Sequence, residues 1–498
     1  MAPGSANETG SLLGHDSSAL KQPLLSDEPQ VSSHTAHDNA ERGQACDAEL
    51  SQTEQCCKGA RRCSTLQTTA ALLTLQLGWG LWLLPCDFAR LGWIPGFAAL
   101  FTLALCTTYS GSLFTRLYGA VSNAVLFGDV GEAAAGRKGR LLVYATIYSL
   151  DATRCIILHL AATQSLSHAL TPLLGSALPL WQCSAIVAVV VLLLGQIRYL
   201  TQLSSFFMAG TTAQMIAITI VIYDLIAHSG PPPPAAGPGS LLAPQHPPEL
   251  YRSVMVPQSL LEGAWTPAAM AILNMIFAYG GQFAYLEIMT SMKQPSRFSH
   301  AVSLCTTIMT VLYGGFGAVG YWSKGASIQG IVIFNMTPGP AAQVAAAFIF
   351  LQALAQYLVN LNCWTHNLLV LLSRRSRSFA QEDEGREAHV EGEAMSTGDH
   401  SSGHWLATTA FVASYSAVVA VAVPFFCTLV GFVTSVTYLA CAYTLPAWFA
   451  LKLLADRLGR LEKAWLITLI PVSLVLSAIG LVASVITYIN EASSGEGM

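Results

Sequence analysis

Leu77-Gly78-Trp79-Gly80-Leu81-Trp82-Leu83-Leu84-Pro85 lies inside the first long apolar run of the chain, where a membrane helix would be expected to continue unbroken. The sixth such run is interrupted in the same way, at Phe277-Ala278-Tyr279-Gly280-Gly281. Hydrocarbon gives a freed backbone N–H or C=O no water partner, so helix-weakening residues at that depth persist only where protein or the lining of a cavity satisfies them. A small polar ligand is one such partner. Interrupted segments at corresponding places in two halves of a chain point to the midplane binding site of a secondary transporter. The competing reading is that these glycines let helices pack closely, as small residues do in membranes. Composition and spacing leave both readings open.

Around these breaks, the 498-residue chain is 53% hydrophobic and only 10% charged, which is too little polar surface to cover a soluble globule. The sequence is that of an all-α, multi-pass integral membrane protein. Apolar runs near the roughly 20 residues that a span requires fall at 66–91, 94–118, 141–170, 180–195 and 202–226, then at 268–291, 301–322, 341–372, 405–423, 425–451 and 464–489. Eleven spans put the termini on opposite sides. Lys and Arg concentrate in the connections that share a side with the N-terminus, including Arg137, Lys138, Arg140, Lys293, Arg297, Lys452 and Arg457. By the positive-inside rule the N-terminus is cytoplasmic and the C-terminus outer or lumenal.

Residues 1–64 are polar and read as a disordered cytoplasmic tail, a candidate site for a regulatory partner. Residues 65–490 make the transmembrane domain, with a Pro-rich outer loop at 228–266 and a charged cytoplasmic loop at 373–404, and 491–498 form a short outer tail. The twelve cysteines have no metal-ligand spacing. No nucleotide-binding loop or nucleophile with a paired base is present, so neither an enzyme nor a cofactor is expected.

Gly78-Trp79-Gly80-Leu81-Trp82-Leu83-Leu84-Pro85 followed by Leu91-Gly92-Trp93 resembles the first span of the amino acid/auxin permease (AAAP) family of transmembrane amino acid transporters. Phe127-Gly128-Asp129-Val130-Gly131-Glu132-Ala133-Ala134 is similar to that family's cytoplasmic loop before the third span. Phe277-Ala278-Tyr279-Gly280-Gly281-Gln282, with Glu287 and Pro295, is similar to its sixth span. The resemblance implies a LeuT-like fold, a 5+5 inverted repeat with broken helices 1 and 6, plus one further helix. It also implies secondary active transport of an amino acid, coupled to protons or, in some branches, to sodium.

The residues suit such a substrate. A carboxylate and an ammonium cannot be buried unpaired without large cost, and unwound backbone offers donors and acceptors with no charged side chain. N–H groups of Gly78, Trp79, Gly80 and Leu81 are expected to hold the carboxylate at a half-helix start. Carbonyls near Leu75 and of Phe277, Ala278 and Tyr279 are expected to accept from the ammonium, beside Gly280 and Gly281. Trp79 and Trp82 are bulkier than the family's usual residues, and line the pocket or pack on a neighbouring helix.

Charged and polar residues within the spans are the candidates for ion coupling. Asp151 and Arg154 share a helix face and are expected either to pair with each other or to take part in coupling. Glu287 is an acid close after the sixth-span break, and Gln282 stands where relatives often carry His. Asp87 and Arg90 are expected to form a local pair. The polar run Asn360, Asn362, Thr365, His366, Asn367 in the eighth span could supply oxygens to sodium. The leading expectation is a proton-coupled amino acid transporter. The alternatives are a sodium-coupled one and a transporter-shaped amino acid sensor.

Overall fold

The computed structural model describes residues 63–494 apart from 122–123, 175–177, 198–199, 230–251, 329 and 383–401. The expected N-terminal tail, most of the Pro-rich loop and most of the charged loop therefore lie outside the described residues. Among the described residues the chain is helical, with one isolated backbone bridge between Cys63 and Met292.

Among the described residues nine helices are long and apolar enough to cross a membrane, and the bent pair Thr65–Gln76 and Trp79–Leu91, counted as one span, makes up to ten. The remaining apolar helix, Leu180–Leu194, has 15 residues, about 22 Å at 1.5 Å per residue, against a hydrocarbon thickness of about 30 Å. The described spans long enough to cross number nine or ten, against the eleven expected, and this shorter helix falls where the fourth was expected. The first span is the bent pair; the second is Trp93–Ala120, the third Phe127–Leu174, the fourth Leu180–Leu194 and the fifth Leu200–Ala227. The sixth is Trp265–Ala278 with Tyr285–Thr290, the seventh Phe298–Lys324, the eighth Pro340–Glu382, the ninth Ser402–Ala422, the tenth Phe426–Leu453 and the eleventh Arg460–Ser494. The eighth and eleventh helices run past the expected boundaries at 372 and 489. The expected cut at Pro424 holds, since the ninth helix stops at Ala422 and the tenth starts at Phe426.

Local chemistry explains several of these ends. Ser64 and Gln67 form a reciprocal capping box that starts the first span, with Ser64 N–H donating to Gln67 Oε1 at 2.9 Å and Gln67 N–H to Ser64 Oγ at 3.3 Å. The stretch read as a loop before the third span is instead a short helix. Ala135 and Gly136 leave helical geometry, Gly136 at φ 62°, a left-handed conformation that glycine adopts without strain. The chain then folds back on itself, close enough that a Cβ on Gly139 would lie 2.1 Å from the Gly131 carbonyl. Glu132 and Arg140 pair across this turn at 2.8 Å.

The tenth span contains two π-helical stretches, Thr434–Tyr438 and Ala440–Thr444. Pro446, having no N–H, cannot donate to the Ala442 carbonyl four residues back, and Ser110 Oγ donates to that carbonyl at 2.8 Å in its place.

The eighth helix packs along the third and fifth, and the seventh along the first and second. The two breaks meet at the centre of this bundle. A Cβ on Gly80 would sit 2.4 Å from Ala278 Cα, and one on Gly281 would sit 2.3 Å from Gln76 Nε2. The close-packing reading of the glycines is therefore correct for Gly80 and Gly281, and the close approach it permits is what joins the two breaks.

Candidate functional site

Helix geometry stops at Gln76. Leu77 has φ −72° and ψ 81°, Gly78 has φ −131° and ψ −145°, and a 3-10 turn then runs over Trp79–Leu83. In the sixth span Gly281 (φ −173°, ψ −3°) separates Trp265–Ala278 from the turn Gln282–Ala284.

Five of the carbonyls at the junction have a donor. Gly78 C=O accepts from Gln214 Nε2 and from Leu81 N–H, each at 3.3 Å. The Tyr313 hydroxyl lies 3.2 Å from Gln76 O and 2.9 Å from Ala278 O, bridging the two breaks with one side chain. Phe277 O accepts from Gly280 N–H at 3.0 Å, and Tyr279 O from Gln282 Nε2 at 3.3 Å. The donors at the head of the 3-10 turn are different. The N–H groups of Gly78, Trp79 and Gly80 have no intrahelical acceptor, as the start of any helix requires.

Beside these N–H groups lies a cavity of about 30 Å³, lined by Leu75, Gln76, Gly78, Trp79, Gly80, Arg154, Ile157, Leu158, Phe277, Gly280, Gln356 and Tyr438. On this measure it has room for about two waters, so a larger ligand requires the walls to move. Of the expected substrate residues, Leu75, Gly78, Trp79, Gly80, Phe277 and Gly280 line it. Leu81, Ala278, Tyr279 and Gly281 do not; they pack behind it, and Tyr279 is fully buried with its hydroxyl 2.8 Å from Thr310 Oγ1. Trp79 is 2% exposed, its ring centroid lies 5.4 Å from that of Phe426, and its indole N–H has no acceptor. Trp82 does not reach the cavity and packs edge-on against Phe316 at 5.5 Å.

A broken first span packed against a broken sixth, with a cavity between them, is what the sequence resemblance implies. The family model described as transmembrane amino acid transporter protein matches residues 61–490. The chain belongs to this family. Among its relatives, Amino acid transporter AVT1E of Arabidopsis thaliana is 22% identical over 86% of this chain and 74% of its own length. AVT3C of the same plant is 23% identical over 81% and 86%. AVT3B is 24% identical over 57% of this chain and 66% of its own length, just under two thirds. Solved structures share the fold: MhsT in complex with L-phenylalanine (TM-score 0.50, 12% identity, 85% of this chain and 99% of that one) and the inward-facing conformation of Mhp1 (TM-score 0.50, 14%, 87% and 91%). The all-α, LeuT-like architecture stands.

Within this transporter-family fold, Arg154 is the one charged side chain in the cavity lining. The expected pair with Asp151 does not form: no ion pair within 4.0 Å joins them. Asp151 Oδ2 instead accepts from Asn367 Nδ2 at 3.2 Å, while the Arg154 guanidinium lies 4.7 Å over the Phe283 ring. Spacing of three residues placed both on one face, but partners on other spans separated them. Asp87 and Arg90 likewise make no such pair, and Asp87 Oδ1 accepts from Asn274 Nδ2 at 2.9 Å. Gln282 does not line the cavity. Its side chain caps its own break, with Oε1 accepting from Gly281 N–H at 2.8 Å. Glu287 lies in the first turn after the break and is exposed.

Gln214, Tyr313, Gln356 and Tyr438 escaped the sequence reading. Each is an ordinary residue in an apolar run, and nothing local distinguishes the one that faces a break. No residue of the polar run of the eighth span lines the cavity: Asn360 Nδ2 donates to Asp151 O at 3.0 Å, and Asn362 Nδ2 to Ile197 O at 3.1 Å. Gln356, one turn earlier, is the eighth-span residue beside Gly78.

Proposed function

We propose that this protein is a secondary active amino acid transporter that works by alternating access and is driven by protons rather than by sodium. The supporting observation is the cavity between the two packed breaks, where unpaired backbone donors face a space bordered by both halves of the chain. The N–H groups of Gly78, Trp79 and Gly80 take the substrate carboxylate. Hydrogen bonds to a charged group contribute about 1.5–3 kcal/mol each, so three of them offset a desolvation cost of several kcal/mol. The ammonium is received by the Leu75 carbonyl and by the second lone pair of the Phe277 carbonyl, the two expected acceptors that border the cavity, since a carbonyl oxygen has two.

The preference for protons rests on what stands at the first break. Sodium in this architecture is coordinated by unwound carbonyls and oxygens of neighbouring helices. Here Gly78 O already accepts from the Gln214 amide, and the Asn360 and Asn362 amides of the eighth span donate to carbonyls on other spans. The carbonyl that a cation would need at the first break is thus already engaged by a donor. Glu287 and Asp151, which lie within electrostatic reach of each other, are the proton-carrying candidates. The positive-inside pattern puts Cys63 and Lys293 on the cytoplasmic side. There Cys63 N–H donates to Ser291 O at 3.1 Å and Lys293 N–H to Cys63 O at 3.0 Å. This clasp ties the two half-helices that must move together.

The test is uptake of labelled amino acids into proteoliposomes under an imposed pH gradient, with sodium present or replaced by N-methylglucamine. Accumulation that follows the pH gradient and ignores sodium is expected. Accumulation only under a sodium gradient overturns proton coupling. Saturable binding without flux identifies a sensor, and flux without uphill accumulation identifies a facilitator.

A further inference from the structure

We infer that Arg154 is the specificity-determining residue of the cavity and that it selects amino acids with a second carboxylate, the acidic ones. The inference rests on the transporter reading of this site.

The cavity lining includes donors without acceptors. The carbonyls of Gln76, Gly78, Phe277, Ala278 and Tyr279 each have a protein donor, whereas the indole N–H of Trp79 has no acceptor and is buried. To these the third span adds Arg154, whose guanidinium carries five N–H donors and a fixed positive charge. Among the described residues no carboxylate oxygen comes within 4.0 Å of it, and no hydrogen bond to it is made by Asp151, whose side chain is held by Asn367. Its contact is with the Phe283 ring, 4.7 Å from the centroid. An aromatic face holds a guanidinium in place while leaving its edge donors free for a carboxylate.

Charge balance then distinguishes substrates. A neutral amino acid brings one carboxylate and one ammonium, so the site closes around it with no carboxylate in contact with the Arg154 guanidinium and only the through-space attraction of Asp151 to offset its charge. Sequestering an unpaired charge costs several kcal/mol. An amino acid with a side-chain carboxylate brings one further negative charge, gives the guanidinium a bidentate partner, and leaves its α-carboxylate for the backbone N–H groups of the first break. The other polar side chains of the lining, Gln76, Gln356 and Tyr438, are uncharged and can turn acceptors toward the ammonium.

The experiment measures aspartate, glutamate, alanine and leucine as competitors and as labelled substrates in counterflow, with thermal-shift binding on the purified full chain as a second readout. In the wild type, aspartate or glutamate should bind and exchange better than alanine and leucine. Arg154→Gln should lower the acidic-to-neutral affinity ratio by about 10-fold or more, and Arg154→Lys should retain part of the preference, since an ammonium keeps the charge but loses the fork. If the wild type carries alanine or leucine but neither acidic amino acid, the inference is overturned and the transporter reading stands. An unchanged ratio in Arg154→Gln also overturns it. Should Arg154→Gln fail to insert, the wild-type panel and Arg154→Lys decide. Absence of binding by every amino acid on a wide panel would instead overturn the transporter reading itself.

Discussion

Replacing Gly80 by alanine adds one methyl group at the point where the two breaks touch. That Cβ would sit 2.4 Å from Ala278 Cα and 2.5 Å from Ala278 Cβ, whereas ordinary contact begins at 3.4 Å. The obstacle is largely backbone, which cannot swing aside as a flexible side chain would, so the two half-helices must part by roughly 1 Å. Overpacking of this kind costs about 1–3 kcal/mol, equivalent to a factor of about 5 to 150 in an equilibrium constant. The parting also stretches the Tyr313 bridge, which spans Gln76 O and Ala278 O. Gly80→Ala should therefore lower substrate affinity and initial uptake rate in proteoliposomes by at least about 5-fold, with the protein still monodisperse by size-exclusion chromatography. Gly315→Ala is the matched control, because a Cβ there meets nothing within 4 Å inside the seventh helix. It should be neutral or stabilising by up to about 1 kcal/mol. Equal, wild-type kinetics for both variants would refute the claim that the breaks build the site by close approach.

Tyr313→Phe removes the one hydroxyl that serves carbonyls of both breaks and should cost about 1–3 kcal/mol, read as a lower melting temperature in detergent and as slower uptake. Ser110→Ala removes the side-chain donor to the buried Ala442 carbonyl and should destabilise by a similar amount, about 1–3 kcal/mol. Adding Pro446→Ala restores a backbone N–H for that carbonyl, so in a double-mutant cycle the two substitutions should be less damaging together than their sum; strict additivity would count against this account of the tenth span. Glu287→Gln removes a proton-carrying candidate and should flatten the dependence of uptake on the pH gradient while leaving equilibrium binding within about threefold of wild type. A wild-type pH profile in that variant would clear Glu287 of coupling.

The sequence alone determined that the chain crosses the membrane many times, where its spans lie, that the first and sixth are broken, and that it resembles amino acid transporters. These properties are written in local composition: apolar runs of span length and paired glycines at membrane depth are legible because hydrocarbon tolerates so few exceptions. Side-chain partnership was another matter. Asp151 and Arg154 stand three residues apart and looked like a pair, yet Asn367 holds one and Phe283 the other. In the polar run of the eighth span, whose oxygens could serve sodium, the Asn360, Asn362 and Asn367 amides donate to other spans, while Gln356 and Gln214, with no local signal, stand at the break. Which face of a helix meets which neighbour depends on the rotation and crossing of whole spans in the bundle, and in lipid that arrangement is decided by packing and interhelical hydrogen bonds between residues far apart in sequence. The tertiary structure, by bringing Gly80 onto Ala278 and placing Arg154 in the lining more than 4.0 Å from any described carboxylate, decided where the cavity is and what charge it presents.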